Sequence, residues 1–519
     1  MGSALLGTER RRPGGVVGGD AEEAALGLLD AAAVGVLRRR GGVLPGVAGQ
    51  RPAVAPVDGR AQMPAAAQQR LGKLLADRTG GSSGGRRGAA PNLAELLPQW
   101  LAAARREGFA APPAQLPALL EAARARTDLR ADALALAGPR GLWLAKLNPD
   151  WKFALRAGSG ALTAAAAGQD EEQDPQEAQK LWEEGLFAER IALLTRLRRS
   201  DPAGALALLT ASWRSERAED RLMFLDSLRI GLSADDEPFL EQALSDRSRN
   251  VRSTAAELLS ALPGSALAAR MAARARSHVS LGPDGITVEA PYECDAAMER
   301  DGVAPKPPSG RGERAWWLGQ LVDSAPLSTW PARFGGRGPE QIIELPVLDD
   351  WQSDLHAAWC RAAVRQRDPA WARALLGPPP VPAGPVAAVG DPAKLLSILP
   401  QEERARWVAD FIAAHGLSEA FQMLGVCAVP WSERLGRAVV DALDIARDGG
   451  SYPWSFSGVM GLAERCLDPA AAEQVAVLSA AGEDPPEASP GAATYWSEAF
   501  QRLTGTLRLR ALMLAELRG

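Results

Sequence analysis

The most regular stretch of this chain reads Asp246-Arg-Ser-Arg-Asn-Val-Arg-Ser-Thr-Ala-Ala-Glu-Leu-Leu-Ser-Ala-Leu-Pro263. Its apolar side chains recur every three or four residues and therefore share one face of a helix. They are Val251, Ala255, Leu258, Leu259 and Leu262. The helix is expected to end at Pro263 and Gly264, because proline cannot donate the next helical hydrogen bond. One helix cannot bury such a stripe by itself, so the pattern predicts packing against neighbouring helices.

The segment around this stretch, residues 180–276, predicts a series of helices with short connections. They cover about 186–199, 203–214, 219–231, 236–244 and 249–262. Ser233 and Asp236 have the spacing of a capping box, and Pro202 and Pro238 stand near the first helical position, where proline is tolerated. Two helices in each unit of roughly 35–45 residues are typical of a HEAT-type solenoid.

The end of this segment resembles the second half of a HEAT unit, through Asp246 and the pair Val251-Arg252. In HEAT proteins an aspartate before the second helix and an arginine within it commonly bond between adjacent repeats. The resemblance therefore implies a structural ladder formed by Asp246 and Arg252, with Val251 on the buried face of the same helix.

A small β-hairpin is predicted near residues 279–289, after the helical series. Val279 and Leu281 alternate with polar residues before a Gly-Pro-Asp-Gly turn, and Ile286 and Val288 alternate after it. An isolated hairpin is only marginally stable, so we expect it to pack on the helices.

The predicted fold class is mostly α, an irregular HEAT-like helical-repeat solenoid with the hairpin as an insertion. Changes in composition divide the chain into five segments. They are an N-terminal helical region at 1–156, the HEAT-like repeat core at 180–276, the hairpin and Trp-rich helices at 277–376, a Pro-rich linker at 377–390 and a C-terminal helical module at 391–519. The last predicted helix covers about 492–516, and Arg508 and Arg510 are interpreted as basic residues near its end that favour the helix dipole.

Composition and motifs give no sign of a catalytic, cofactor-binding or metal-binding centre. The net charge of −5 argues against a general nucleic-acid binder, which needs a basic surface. The four cysteines form no Cys-x-x-Cys pair, and the three histidines offer little for a nucleophile triad. His356 and Cys360 have metal-ligand spacing on a helix, but they stand in an apolar pattern that favours core packing. We therefore predict no cofactor and favour a protein that is not an enzyme.

Trp316 and Trp317 are the candidate partner-contact residues. Consecutive residues of a helix point in different directions, so one of the two indoles can reach a surface groove while the other packs inside. Tryptophan is favoured at binding hot spots, although core packing is the alternative for both residues.

The chain is expected to be cytoplasmic and not to span a membrane. It contains no run of 18 apolar residues of the kind that forms a transmembrane helix. At the N-terminus the charged residues follow a short apolar run, which is the reverse of the order in a signal peptide.

Several segments resemble an uncharacterised bacterial family, a domain of unknown function that spans most of the chain. They are residues 4–10, 138–149, 236–241 and 246–252. The genes of this family typically lie beside genes for a MoxR-type AAA+ ATPase, a von Willebrand A-domain protein and a SWIM zinc-finger protein. The resemblance implies an AAA+ ATPase or an A-domain protein as partner, and it carries over no catalytic residue.

The function predicted from these observations is a non-catalytic scaffold for protein–protein interaction. One alternative is a HEAT-like nucleic-acid-binding protein or DNA-repair-type enzyme, because some DNA glycosylases use this architecture. That alternative predicts an arginine-rich concave face with an aromatic side chain and a carboxylate at its centre. Another is a hydrolase whose site is assembled from distant residues.

Overall fold

The computed structural model describes residues 21–42, 52–77, 93–155, 175–379, 392–480 and 491–519. The chain divides into two compact units, Met1–Ala55 and Pro56–Gly519. In the first unit the described element is helix α1, Ala21–Arg40. The second unit is mostly helical and contains one two-stranded sheet. The prediction of a mostly α protein with a small hairpin is therefore confirmed.

The second unit begins with four helices that share a core. They are α2 (Ala65–Asp77), α3 (Leu93–Arg106), α4 (Leu116–Ala125) and α5 (Arg130–Leu147). Leu71, Leu97, Leu119 and Leu136, which come from all four helices, are completely buried in this core.

Helix α5 is broken at Gly138, where φ is 55° and ψ is −152°. The side chain of Arg60 occupies the break: its Nη1 donates to the carbonyl oxygen of Ala135 at 2.5 Å, and its Nη2 donates to that of Leu136 at 3.2 Å. Asp58 holds the guanidinium through a 2.6 Å ion pair, and this contact lowers the pKa of Asp58. Carbonyl groups released by the break are thus satisfied from outside the helix.

The segment predicted as repeat core contains all five helices expected there and two more. They are α6 (Pro175–Glu184), α7 (Phe187–Ser200), α8 (Pro202–Ser212), α9 (Ala218–Ser227), α10 (Glu237–Ala243), α11 (Arg249–Ser260) and α12 (Ala266–His278). The predicted capping box also forms, because Asp236 Oδ2 accepts from the backbone N–H of Ser233 at 3.0 Å. Helix α12 was not predicted, since most of its buried face is alanine and gives a weak hydrophobic period.

The predicted hairpin is confirmed as strands β1 (Val279–Leu281) and β2 (Ile286–Val288), which pair antiparallel. Val279 and Ile286 are completely buried. A third backbone segment also supports the hairpin: the N–H of Ile286 donates to Pro346 at 2.8 Å, and the N–H of Leu348 donates to Ile286 at 3.0 Å.

The remaining helices follow the hairpin, and all but the first of them contribute to its large core. The first of them buries Met298 among the helices of the preceding segment. Those before the proline-rich segment are α13 (Ala296–Arg300), α14 (Glu313–Ser324), α15 (Thr329–Arg333), α16 (Pro339–Ile343), α17 (Gln352–Gln366) and α18 (Pro369–Leu376). Those after it are α19 (Pro392–Leu396), α20 (Gln401–His415), α21 (Leu417–Leu424), α22 (Glu433–Asp448), α23 (Ser457–Cys466), α24 (Ala472–Leu478) and α25 (Ala492–Arg518). Residues 380–390 of the predicted linker lie outside the described residues.

Helix α25 joins the two ends of the second unit. Its Leu503 and Leu507 are buried in the C-terminal core, whereas its Met513 and Leu517 are buried among the N-terminal helices. The carboxylate of Glu516, one position earlier, binds Arg70 at 2.7 Å. In a simple solenoid each repeat contacts only its neighbours. A contact between the last helix and the first helices of the unit is therefore not expected from such a stack.

The helix-dipole interpretation of Arg508 and Arg510 is wrong, because α25 continues to Arg518. Arg508 forms an ion pair with Glu473 at 3.0 Å. Arg510 is buried, and its Nη1 donates to the carbonyl oxygen of Leu467 at 2.6 Å. Arg510 is therefore a buried hydrogen-bond donor in the middle of the helix, which the spacing of apolar residues in α25 did not indicate.

Candidate docking groove

The structure brings Asp246 and Arg252 together, but through the backbone. Arg252 Nη1 donates to the carbonyl oxygen of Asp246 at 2.8 Å, and Val251 is completely buried. The carboxylate of Asp246 instead pairs with Arg221 of helix α9 at 2.9 Å and accepts from the N–H of Ser248. Asp246 is thus linked to an earlier helix through Arg221, which the sequence pattern did not indicate. The ladder between repeats stays a prediction.

Trp316 and Trp317 both anchor the loop that precedes their helix. Their indole N–H groups donate to the carbonyl oxygens of Ala304 and Pro305, each at 2.8 Å. Trp317 is buried and Trp316 is half-buried. Partner contact at these residues stays a prediction, and any partner would meet indoles whose donors are already used.

His356 and Cys360 lie inside the helical core, on α17. His356 is 2% exposed and packs beside Trp359, and its Nε2 finds no partner within the described residues. Burial lowers the pKa of His356 to about 4 and raises the pKa of the Cys360 thiol to about 12. Across the part of the chain that the structure describes, no group of three or more His, Cys, Asp or Glu side chains is placed to hold a metal ion.

Lowering the pH from 7 to 4 is expected to reduce the free energy of unfolding by up to about 3 kcal/mol through His356. The imidazole takes up a proton near pH 6.5 in the unfolded chain but only near pH 4 in the folded one. The unfolded chain binds more protons between these values, so this stabilising contribution is complete above pH 6.5 and is lost as the pH falls. Urea unfolding of the wild type and His356→Leu across this range measures it. An equal loss in both proteins would contradict the assignment to His356.

A long groove lies between helices α20 and α22 and has a volume of about 1040 Å³. Alanine side chains line both of its helices at intervals of four residues. They are Ala409 and Ala413 on α20, and Ala438, Ala442 and Ala446 on α22. Residues four apart in a helix lie on the same face, so the two rows form a shallow floor with little side-chain bulk.

The rim of the groove carries both signs of charge. Arg434 crosses from α22 to Asp410 on α20 at 2.5 Å, and Arg437 pairs with Glu433 within α22. Asp441 also lines the groove and has no ion-pair partner among the described residues. The groove therefore offers one unpaired carboxylate beside an alanine floor.

One end of the groove continues into exposed apolar surface. Ile445, which lines it, is 72% exposed. The turn Pro453–Phe456 contributes Phe456 to the groove lining and also carries Trp454, whose ring stacks on Tyr452 with centroids 3.9 Å apart. Trp454 is more than half exposed, so aromatic and aliphatic surface is available beside the groove.

Next to the groove, α20 also contacts a proline-containing segment of the same chain. Trp407 Nε1 donates to the carbonyl oxygen of Gly377 at 2.9 Å, and His415 Nε2 lies 2.9 Å from that of Pro379. The ring of Phe411 lies between them: it stacks on Trp407 with centroids 5.2 Å apart and lies tilted against His415 at 4.5 Å. This contact occupies a ring nitrogen of the one histidine that lines the groove.

The sequence patterns described above do not indicate this groove. The signal in the sequence is a four-residue spacing of alanines on two helices, α20 and α22, and it contains no large apolar residue. Alanine is also abundant in the whole chain, so the spacing becomes informative only when the two helices are seen side by side.

Comparison with known proteins places the whole chain in one group. A family model described as a family of unknown function (DUF5691) matches residues 1–517. No curated protein and no solved structure matches the chain significantly. Among the described residues, no helix is long and apolar enough to cross a membrane.

Proposed function

We propose that this chain, which belongs to the DUF5691 family, is a non-catalytic scaffold that binds a helical segment of a partner protein in the groove between α20 and α22. The observation that carries the proposal is the groove itself, with its two rows of alanine and with Asp441, which has no ion-pair partner in the described part of the chain.

The shape of the groove favours a helix over a small ligand. Its volume of about 1040 Å³ stands at the upper end of the range of small-molecule pockets, and it runs between two helices. Amphipathic helices commonly bind in such grooves through residues spaced three and four apart. Alanine on the floor allows the backbone of a bound helix to approach closely.

The chemistry of the surface defines the partner helix. An apolar stripe would cover Ile445 and Phe456, which line the groove at one end. A lysine or arginine on its flank would pair with Asp441. We propose that an AAA+ ATPase or a von Willebrand A-domain protein supplies this helix, a choice supported by the gene neighbourhood that the family resemblance implies.

The HEAT-like solenoid description and a cytoplasmic location belong to the same proposal. Sequence neighbours that pack in pairs, such as α7 with α8 and α10 with α11, support a repeat of helical hairpins.

Affinity purification of the tagged full chain from its own bacterium is expected to recover an ATPase or A-domain protein in near-stoichiometric amount. Ala413→Trp, on the exposed part of the groove, should reduce this recovery at least tenfold by filling the floor. Ala269→Trp on α12 is the matched control, because Ala269 is exposed and does not line the groove. Quantitative mass spectrometry measures recovery, and the unfolding midpoints of both variants should stay close to the wild type.

Equal recovery of the same partner by the Ala413→Trp and Ala269→Trp variants would refute the groove as the binding site. Recovery of nuclease-sensitive material without a protein partner would refute the scaffold and favour the nucleic-acid alternative.

A further inference from the structure

A second, smaller cavity of about 210 Å³ lies between helices α3 and α25. The turn that contains Val429 and Pro430 closes another side. Apolar side chains form most of the wall, among them Leu96 on α3 and Met513 on α25. The cavity is separate from the docking groove, because the two share no lining residue.

The polar group that distinguishes this cavity is Arg510. Its side chain lines the cavity, and the residue is only 7% exposed. Nη1 is held by two backbone carbonyl oxygens, those of Glu464 at 3.2 Å and Leu467 at 2.6 Å. Nε and Nη2 make no hydrogen bond, and no carboxylate pairs with the guanidinium, within the described part of the chain. The nearby carboxylate of Asp468 is used to cap its own turn, where it accepts from the N–H of Ala470.

Of the other polar side chains around the cavity, Arg106 and Trp100 carry donors, and Gln99 carries both a donor and an acceptor. Arg106 lines the exposed side, and its Nε reaches only the backbone carbonyl oxygen of Ala102. Trp100 is 2% exposed, and its indole Nε1 has no acceptor among the described residues. The amide N–H₂ of Gln99 donates to the carbonyl oxygen of Arg465. None of the twelve lining residues is acidic, so the cavity has two positive charges and no negative one.

A guanidinium that is buried without a counter-charge destabilises the fold, because it loses its hydration and gains no ion pair in return. Among the described residues the other deeply buried arginine is Arg198, which follows that rule and pairs with Asp236. We propose that the cavity binds a small organic anion, a carboxylate with an apolar body, whose two oxygens accept from Nε and Nη2 of Arg510.

The geometry supports a carboxylate more strongly than any other anion. The Nε–Nη2 edge of arginine matches the two oxygens of a carboxylate. Because Nη1 is anchored to the backbone, the edge is already oriented before the ligand arrives. The apolar wall suits a short hydrocarbon chain or a single aromatic ring, whereas inorganic phosphate would leave that wall empty. The guanidinium of Arg106 provides a further donor for the anion.

Calorimetric titration of the full chain with hexanoate and benzoate tests the proposal, with hexanamide, benzamide and inorganic phosphate as comparison probes at constant ionic strength. Saturable binding of at least one carboxylate is expected, with its amide at least tenfold weaker. Arg510→Gln should weaken carboxylate binding at least tenfold. Arg508→Gln, an exposed arginine on the same helix that does not line the cavity, should leave it unchanged.

A second variant keeps the test valid if Arg510→Gln does not fold. Ala102 lines the cavity and is half-buried, so Ala102→Phe should fill the cavity while Arg510 stays in place. It is expected to weaken carboxylate binding at least tenfold with an unchanged circular-dichroism spectrum. The proposal is overturned if neither carboxylate binds, if acid and amide bind equally, if phosphate binds more tightly than both carboxylates, or if Ala102→Phe binds as well as the wild type.

Discussion

Asp236→Ala is expected to lower the free energy of unfolding by about 3–5 kcal/mol, because it leaves the charge of Arg198 buried and unpaired. Both side chains are only 1% exposed, and two guanidinium nitrogens bind the carboxylate at 2.7 and 2.8 Å. Arg198 also donates to the carbonyl oxygens of Ile230 and Gly231, each at 2.9 Å. The pair thus ties the end of helix α7 to the turn before α10.

Asp235→Ala is the matched control, since Asp235 is the adjacent residue but is exposed and makes no ion pair within the described residues. Its effect is expected to stay within about 0.5 kcal/mol, as for most surface substitutions. The double variant Arg198→Met/Asp236→Leu should recover most of the lost stability, because neither charge is then left without a partner. Urea unfolding followed by circular dichroism measures all three proteins. Similar midpoints for Asp236→Ala and Asp235→Ala would show that the buried pair is not needed.

Gly138→Ala is expected to destabilise the protein by about 2–5 kcal/mol, the sum of backbone strain and lost hydrogen bonds. The combination of φ 55° and ψ −152° is close to a region that is essentially restricted to glycine. A β-carbon at this position would also stand 2.1 Å from Arg60 Nη2 and 2.8 Å from Asp58 Oδ2. Arg60 would have to leave the break in α5, and the carbonyl oxygens that it binds would lose their donor.

Gly108→Ala separates the two contributions. Gly108 also has a positive φ, of 74°, but a β-carbon there meets nothing within 4 Å. Only backbone strain is expected, at about 1 kcal/mol. Differential scanning calorimetry of both variants gives the comparison. If Gly108→Ala proves as damaging as Gly138→Ala, the contact with Arg60 contributes nothing measurable.

The candidate sites depend on contacts between helices that a sequence pattern within one helix cannot predict. Trp407 lies on α20, but its hydrogen bond to Gly377 depends on a segment thirty residues away. The sequence placed Arg510 on a helix, but its burial requires the residues around Glu464 and Leu467. Asp441 is one acidic residue among many until α20 is seen beside it. Each site needs two helices brought together, and spacing within one helix does not determine which helix is its neighbour.

What the sequence determined by itself is local. Pro202 and Pro238 lie within the first two positions of helices, and the turn between Leu281 and Ile286 forms the predicted hairpin, because these features depend on adjacent backbone angles and donors. The sequence also predicted Asp236 as a capping residue.

Only the tertiary structure decided that Asp236 neutralises a buried arginine 38 residues away, and that helix α25 carries Glu516 to Arg70 across 446 residues of chain. Those contacts form because a buried charge or a buried apolar face needs a partner. The packing of the helices determines which partner lies near. That choice depends on the packing of the helices together, which no short stretch of sequence contains.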